Sequence, residues 1–521
     1  TPGNARVSDN VYATVPLDDN QTSNYLQCLN YGFAAIPAWA VINDISVNVE
    51  RKSSSAAATV PTDADVFLVK GGVIGTTDRA TSTLYTTADV TEAHGVPPDL
   101  WGTSWTAADL KAGNFGVAFA ARKPGSVGGS RTVSVDFIQV VVDYTIPART
   151  CTSVATGNWS NANTWNCGSG PGDGPPVATD SVVINNQIVS LDTNASVTSL
   201  TINSGTLQQS GAVARSLTVS GSLSNSGTIV DNGASGSFSL SVGGGLTGNG
   251  NSITVDSLAV GGNTVISSPL TVTGSFNVGG DLTNNSAALT VNNLIFQKAG
   301  TQAATFYGTA SAITNFTVNS GTTVASANYS TVNLKGTLSN NGSISLPNTS
   351  WLINGTSGQS IAGSADSTLG NLTMSNASGL SLSRNVVVPG TLTLNNGVIN
   401  TGAFALSATA NCPGSVSGGS AASYVNGSLR LTFPAFSVTC VYPIGSATAY
   451  APAALTIPWF AGISGGTLTA STTNGEHPQV ATSLINPAQD VNRYWTLGTP
   501  GDTMATLPSG GSYSLALTFV A

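Results

Sequence analysis

An apolar–polar–apolar triplet recurs through the middle of this chain, and it limits the possible folds more than any other feature. It appears at Leu200–Ile202, Leu217–Val219, Leu240–Val242, Leu258–Val260, Leu270–Val272 and Leu289–Val291, and again at Phe316–Val318, Leu372–Met374 and Leu392–Leu394. In an extended strand the outer two residues of such a triplet share one face and the middle one, mostly Thr, Ser or Ala, takes the other. Ser-Gly, Gly-Gly, Asn-Gly and Asn-Asn pairs punctuate the stretches between triplets. The commonest interval is roughly 17 to 23 residues, the length of one coil of a parallel β-helix. Inward Leu, Val and Ile would stack along the axis while Thr, Ser and Asn face water. The gaps are uneven, so a string of small sandwiches is the competing reading.

Composition agrees with many short strands. Of the 521 residues only 8% are charged, against 40% apolar. A disordered chain pairs low hydrophobicity with high net charge, which is the opposite balance. The best helical candidate, Trp105–Lys111, makes barely two turns. The net charge of −8 and the lack of any basic block exclude a nucleic-acid backbone as partner. No apolar run reaches the roughly 18 residues of a membrane-spanning helix. A start at Thr1 rather than Met is what a mature chain has after removal of a leader, and what an excised segment would have too.

Four segments follow. Residues 1–149 hold ten of the sixteen Lys and Arg and fourteen of the twenty-four Asp and Glu. Strand-like runs such as Ala40–Glu50, Asp65–Lys70, Phe115–Ala121 and Thr132–Tyr144 suit a jelly-roll-like β-sandwich. In Thr132–Tyr144 the alternation puts Val133, Val135, Phe137 and Val141 on one face. Residues 150–178 are a Trp-, Cys-, Pro- and Gly-rich junction able to cap an open core. Residues 179–406 are the solenoid. Residues 407–521 regain aromatics and prolines and read as a second β-sandwich, ending on the alternating run Tyr513–Val520. The expected fold is therefore all-β: sandwich, parallel β-helix, sandwich.

The five cysteines suggest two local pairs, Cys151 with Cys167 and Cys412 with Cys440. Each would stabilise by about 3 kcal/mol, and cystines belong outside the cytoplasm. Cys28 is left over, either as a buried free thiol or as a bond to another subunit. Without a CxxC, and with two histidines, a zinc site is not expected.

The stretch GNWSNANTWNCGSGPGDGPPVATDSVVINNQIVSLD resembles the opening of β-helical repeats in bacterial cell-surface, adhesin-like proteins. The matching positions are Gly157, Trp159, Thr164, Trp165, Asp180, Val182 and Ile184. TLTLNNGVINTGAFALSATA, YVNGSLRLTF, YPIGSATAYAPAALTI and VNRYWTL are similar to the end of such repeats and the sandwich that follows. The resemblance spans roughly residues 150 to 500. It implies an exported protein of adhesive or structural use and transfers no catalytic residue, because the shared positions are packing and turn positions.

Sites for chemistry are sparse. Residues 181–405 contain no Glu, His or Cys, and their acids are Asp192, Asp231, Asp256, Asp281 and Asp366. Polysaccharide cleavage on a β-helix needs paired carboxylates for hydrolysis or a base with a neutralising cation for a lyase, and here only the stacking of coils could bring two acids together. His94 and His477 read as loop histidines bonded to backbone. Asp63 and Asp65 offer oxygens at alternating positions and are weak calcium candidates; no cofactor is expected otherwise. Asp173 and Asp180 read as turn-fixing acids. The expectation is a non-enzymatic, secreted or cell-surface structural protein that assembles with copies of itself. Tyr513, Leu515, Leu517 and Phe519 of the run Tyr513–Val520, or else the segment near Thr1–Val15, would complete a neighbour's sheet, with Cys28 as a second contact. The alternative is a glycan-binding adhesin whose Trp101, Trp105, Trp459 and Phe460 stack on sugars above a solenoid stalk.

Overall fold

A computed structural model gives the fold and describes residues 1–521 apart from 58, 126, 169, 210, 233–235, 286–287, 308–310, 327–328, 459–464, 499–500, 504–511 and 520–521. The chain forms two compact units, Thr1–Ala148 and Arg149–Ala521.

In the first unit eight strands run in order: β1 (Ala13–Leu17), β2 (Leu26–Leu29), β3 (Val41–Ser53), β4 (Thr62–Lys70), β5 (Val73–Ile74), β6 (Val90–His94), β7 (Gly116–Arg122) and β8 (Arg131–Thr145). They make two antiparallel sheets, β1-β8-β3-β6 and β2-β7-β4-β5. This exchange of strands between two four-stranded sheets is jelly-roll topology. Ile45, Val47 and Val49 of β3 and Val66 and Leu68 of β4 alternate inward and are buried. The face assignment within β8 needs correction. Val135 pairs with Arg51 and Phe137 with Glu50, so Asp136 is an extra residue in the ladder. That bulge reverses the alternation, and the buried set runs Val133, Val135, Ile138, Val140. A helix does form at Ala107–Lys111; Thr106 and Asp109 close a capping box at its start.

In the second unit the strands from Ser181 to Gly418 stack in parallel, the early coils in three columns. One column runs Val182, Leu200, Leu223, Leu246, with each residue paired to the next coil. A second runs Val189, Leu207, Ile229, Ile253, Leu270, Leu289. The third runs Val197, Val219, Val242, Val260, Val278, Phe296, Val318. Adjacent members of the third column lie 18 to 23 residues apart, so this is a parallel β-solenoid, of about twelve turns. The uneven triplet gaps have a simple origin. Leu217–Val219 and Leu240–Val242 lie in the third column, whereas Leu270–Val272 and Leu289–Val291 lie in the second. Similar triplets on different faces mix two spacings.

Both ends of the solenoid are built from its own sheets. At the start, β9 (Thr150–Ser153) pairs in parallel with Ser181–Val183, and Gly157–Asn158 pairs in parallel with Val189–Ser190. The junction is thus an incomplete first coil. Trp159 and Trp165 lie fully buried across it, edge to face at 5.0 Å. At the far end Val425–Phe433 pairs in parallel with Ile399–Asn411 and antiparallel with Gly466–Asn474, which pairs with Arg493–Leu497. A second antiparallel sheet holds Val438–Tyr442, Ala453–Ile457 and Ser514–Leu517. The terminal sandwich therefore grows out of the last coils, and its Leu429, Leu431, Tyr442 and Leu455 belong to the same buried core as the solenoid.

Candidate functional site

The most concentrated group of buried charges lies between the sheets of the jelly roll. The inward parity of β3 carries Arg51 into the core, and β4 brings Asp63 to meet it. Arg51 donates from Nε to Asp63 Oδ1 at 2.8 Å and from Nη2 to Oδ2 at 3.0 Å. Tyr85 donates its hydroxyl to Oδ1 at 2.8 Å, and the Thr81 hydroxyl donates to Oδ2 at 3.0 Å. His94 sits beside them with Nε2 3.8 Å from Asp63 Oδ2, while its Nδ1 lies 3.0 Å from the Arg79 carbonyl. A carbonyl can only accept, so Nδ1 carries the proton and Nε2 is the bare nitrogen. Burial pushes the His94 imidazole below its ordinary value, against the opposing influence of Asp63. Burial likewise pushes the Tyr85 phenol well up.

This geometry corrects the calcium reading. Asp63 spends both oxygens on Arg51, Tyr85 and Thr81 within the core. Asp65, past a bulge in the β4–β7 ladder, instead accepts from Tyr25 at 3.2 Å. The bulge and the core arginine send the two carboxylates to different partners. They do not form a shared oxygen cage of the kind calcium takes.

The other sequence-derived residues fall as follows. Trp101 is buried and donates from its indole to the Ile45 carbonyl; Trp105 is buried edge to face on Phe115 at 5.4 Å. Both are core residues of the jelly roll, which removes them as sugar-stacking platforms. Trp459 and Phe460 lie outside the described residues. His477 accepts from the Gln479 N–H at 3.1 Å, within a turn. Cys151 pairs with Cys167 and Cys412 with Cys440, while Cys28 is free and half-buried. Cys28 lines a cleft of about 440 Å³ between Pro2–Arg6, the open edge of β2 and the middle of β8. Burial raises its thiol above the ordinary value, which keeps it protonated and a poor nucleophile.

Asp180 is fully buried under the cap. It receives Arg149 Nη2 at 2.6 Å and the Val177 N–H at 2.9 Å. Its oxygen and the sulfurs of Cys151 and Cys167 cluster within 4.8 Å. Two of those three ligand atoms are bonded to each other and the third is neutralised by Arg149, so the cluster is structural. Asp173 accepts from the Cys167 N–H and fixes the same loop.

The acids of the solenoid hold coil to coil. Asp192 accepts from the Ser160 N–H, Asp281 from the Ala303 N–H and Asp366 from the Asn385 N–H, each across one coil. Stacking does bring one pair together. Asp256 lies in hydrogen-bond contact with Asp231, which holds its carboxyl below the ordinary range. Asp256 also accepts from the Phe238 N–H and the Thr273 hydroxyl, both at 2.7 Å. Asp256 is thereby occupied as a corner clip between coils.

The assembly residues lie on a strand already paired within its own sheet. Leu515 opposes Leu455 and Leu517 opposes Ala453. Leu515 packs inward, while Tyr513, Leu517 and Phe519 are exposed. The expected free terminal strand is therefore an edge strand.

One pair of residues escapes sequence reasoning. Tyr307 and Tyr329 stand exposed on neighbouring coils and line a cleft of about 370 Å³. No local pattern marks them. Only coil-to-coil register, which is a tertiary property, brings them together. No protein-family model, curated protein or solved structure matches the chain.

Proposed function

We propose that this chain is a non-enzymatic structural protein of a bacterial cell surface, secreted, and joined to other copies of itself by strand addition. The observation that carries the reading is the free edge of Ser514–Leu517. Among the described residues this strand pairs on one side only, with Ala453–Ile457. The Thr518 N–H donates to the Pro452 carbonyl. In an antiparallel pair the direction of the N–H alternates, so the N–H groups of Leu515 and Leu517 point to the open side. Exposed Tyr513, Leu517 and Phe519 flank that edge. An unblunted apolar edge is a template for another strand. A recipient of matching kind exists in β2, an edge strand whose outer side borders the 440 Å³ cleft. Two cystines favour an oxidising compartment, and Asp192, Asp256, Asp281 and Asp366 each accept a hydrogen bond from a neighbouring coil.

Electron microscopy of the purified chain under oxidising conditions tests this. Filaments or sheets are expected, and deletion of residues 513–521 should leave a folded monomer that no longer assembles. A full-length chain that stays monomeric at high concentration, or a truncated one that still polymerises, refutes strand addition by this edge.

A further inference from the structure

The outward positions of the solenoid carry Thr, Ser and Asn almost throughout. Among the described residues of 181–406, Tyr307 and Tyr329 are the only exposed aromatic rings, at 43% and 82%. They are neighbours by register. The Phe306 N–H donates to Ser330 Oγ at 3.1 Å, which sets Tyr307 and Tyr329 on either side of one coil-to-coil bond. Ser330 in turn pairs with Thr349, placing Asn348 on the next coil, and Thr331 pairs with Ser350. Three successive coils thus contribute Tyr307, Tyr329 with Thr331, and Asn348 with Ser350 to one cleft.

We propose that this cleft is a binding site for a neutral glycan. None of the described residues lining it is charged. A carboxylated, sulfated or phosphorylated ligand would find no counter-ion there, and a desolvated ionic group without one is costly. The lining combines aromatic rings with hydroxyl and amide groups, a composition that suits a sugar, whose C–H face is apolar and whose rim is hydroxyl. Ser350 Oγ accepts from Asn371 at 3.2 Å, which leaves its own proton to donate. Thr331 is half-exposed on the same surface. The volume of about 370 Å³ falls within the range of small-ligand sites. Tyrosine is suited to such a surface because it offers a large, rigid, amphipathic ring at low entropic cost. The site does not depend on self-assembly, since it lies on the coils and away from the edge strand.

The test is titration calorimetry of the full chain against neutral hexasaccharides (β-1,4-glucan, β-1,3-glucan, α-1,4-glucan, mannan and chitin), with hexagalacturonate as the acidic comparison. At least one neutral sugar should bind with a Kd on the order of 1 mM or tighter. Tyr329→Ala and Tyr307→Ala should each weaken it about tenfold or more, and Tyr329→Phe should hold it within about twofold. Tyr329 is mostly exposed, so its replacement should leave the circular dichroism spectrum unchanged. Three results would each overturn the assignment: no neutral sugar of the panel binds, binding is unaltered in Tyr329→Ala, or the acidic hexamer binds in preference.

Discussion

His94 is held neutral at the centre of the jelly roll by the company it keeps. Its ring is buried, its Nδ1 proton is given to the Arg79 carbonyl and its other nitrogen faces an aspartate already spent on Arg51. Because burial lowers its pKa below the ordinary 6.5, the folded chain binds fewer protons than the unfolded chain in the window just below that value. Stability there rises with pH. It is complete above about pH 6.5 and is lost as pH falls from 6.5 toward the lowered folded value. The urea midpoint of residues 1–148, read by pulse proteolysis, should therefore drop between pH 7.5 and pH 5.5. His94→Gln should flatten that part of the profile. An unchanged pH dependence in the variant would show that other groups set it. Arg51 and Asp63 illustrate why charge in this unit was hard to place from sequence. Arg51 lies just past the strand-like run Ala40–Glu50 and Asp63 just before Asp65–Lys70, and only the facing of two sheets buries them together.

At the level of the coil, alternation does most of the folding. Each triplet buries its outer residues and turns its middle one outward, exposed or half-exposed, so a single triplet suffices to orient a strand. This is why the solenoid was legible. The period-2 pattern is local, and its repeat survives variation in turn length. The boundary with the last sandwich was not legible, because Val425–Phe433 satisfies the parallel coil on one side and the antiparallel sheet on the other with the same alternation. The glycines at the corners were read as turn residues, and some have a stricter reason. A Cβ on Gly227 would lie 2.2 Å from the Gly205 carbonyl oxygen of the coil before it. The candidate site was the least legible part, since Tyr307 and Tyr329 meet only through coil register. Inside the coils, Phe316 packs tilted against Phe296 at 5.2 Å and edge to face against Trp351 at 5.3 Å between ring centres. Phe316 has no exposed surface. Phe316→Ala should destabilise the second unit by about 3 to 5 kcal/mol through lost burial and the cavity it leaves. Equilibrium urea unfolding measures this, and a loss below about 1 kcal/mol would mean the neighbouring coils collapse onto the gap.

Across the whole chain, covalent restraint is unevenly shared. Both cystines belong to Arg149–Ala521, and the one free thiol belongs to Thr1–Ala148. Within the second unit the bonds sit at opposite ends of the solenoid: one under the tryptophan cap, the other between the last long strand and the terminal sheet. Solenoids stack each coil only on its neighbours, so their ends open first. A bond at each end therefore restrains the segments most prone to fray. With sequence separations of 16 and 28 residues, the chain-entropy estimate is about 3 and 3.5 kcal/mol. Calorimetry should show two transitions, one for each unit. A reductant should lower the transition of the second unit by several degrees and leave the first in place. Hydrogen exchange should then show earlier opening at Thr150–Ser153 and Val438–Tyr442 than at the middle coils. Cys28→Ser should reproduce the wild-type response to reductant. A reductant effect on the first transition that Cys28→Ser abolishes would instead place Cys28 in a stabilising bond, such as one to a second copy of the chain.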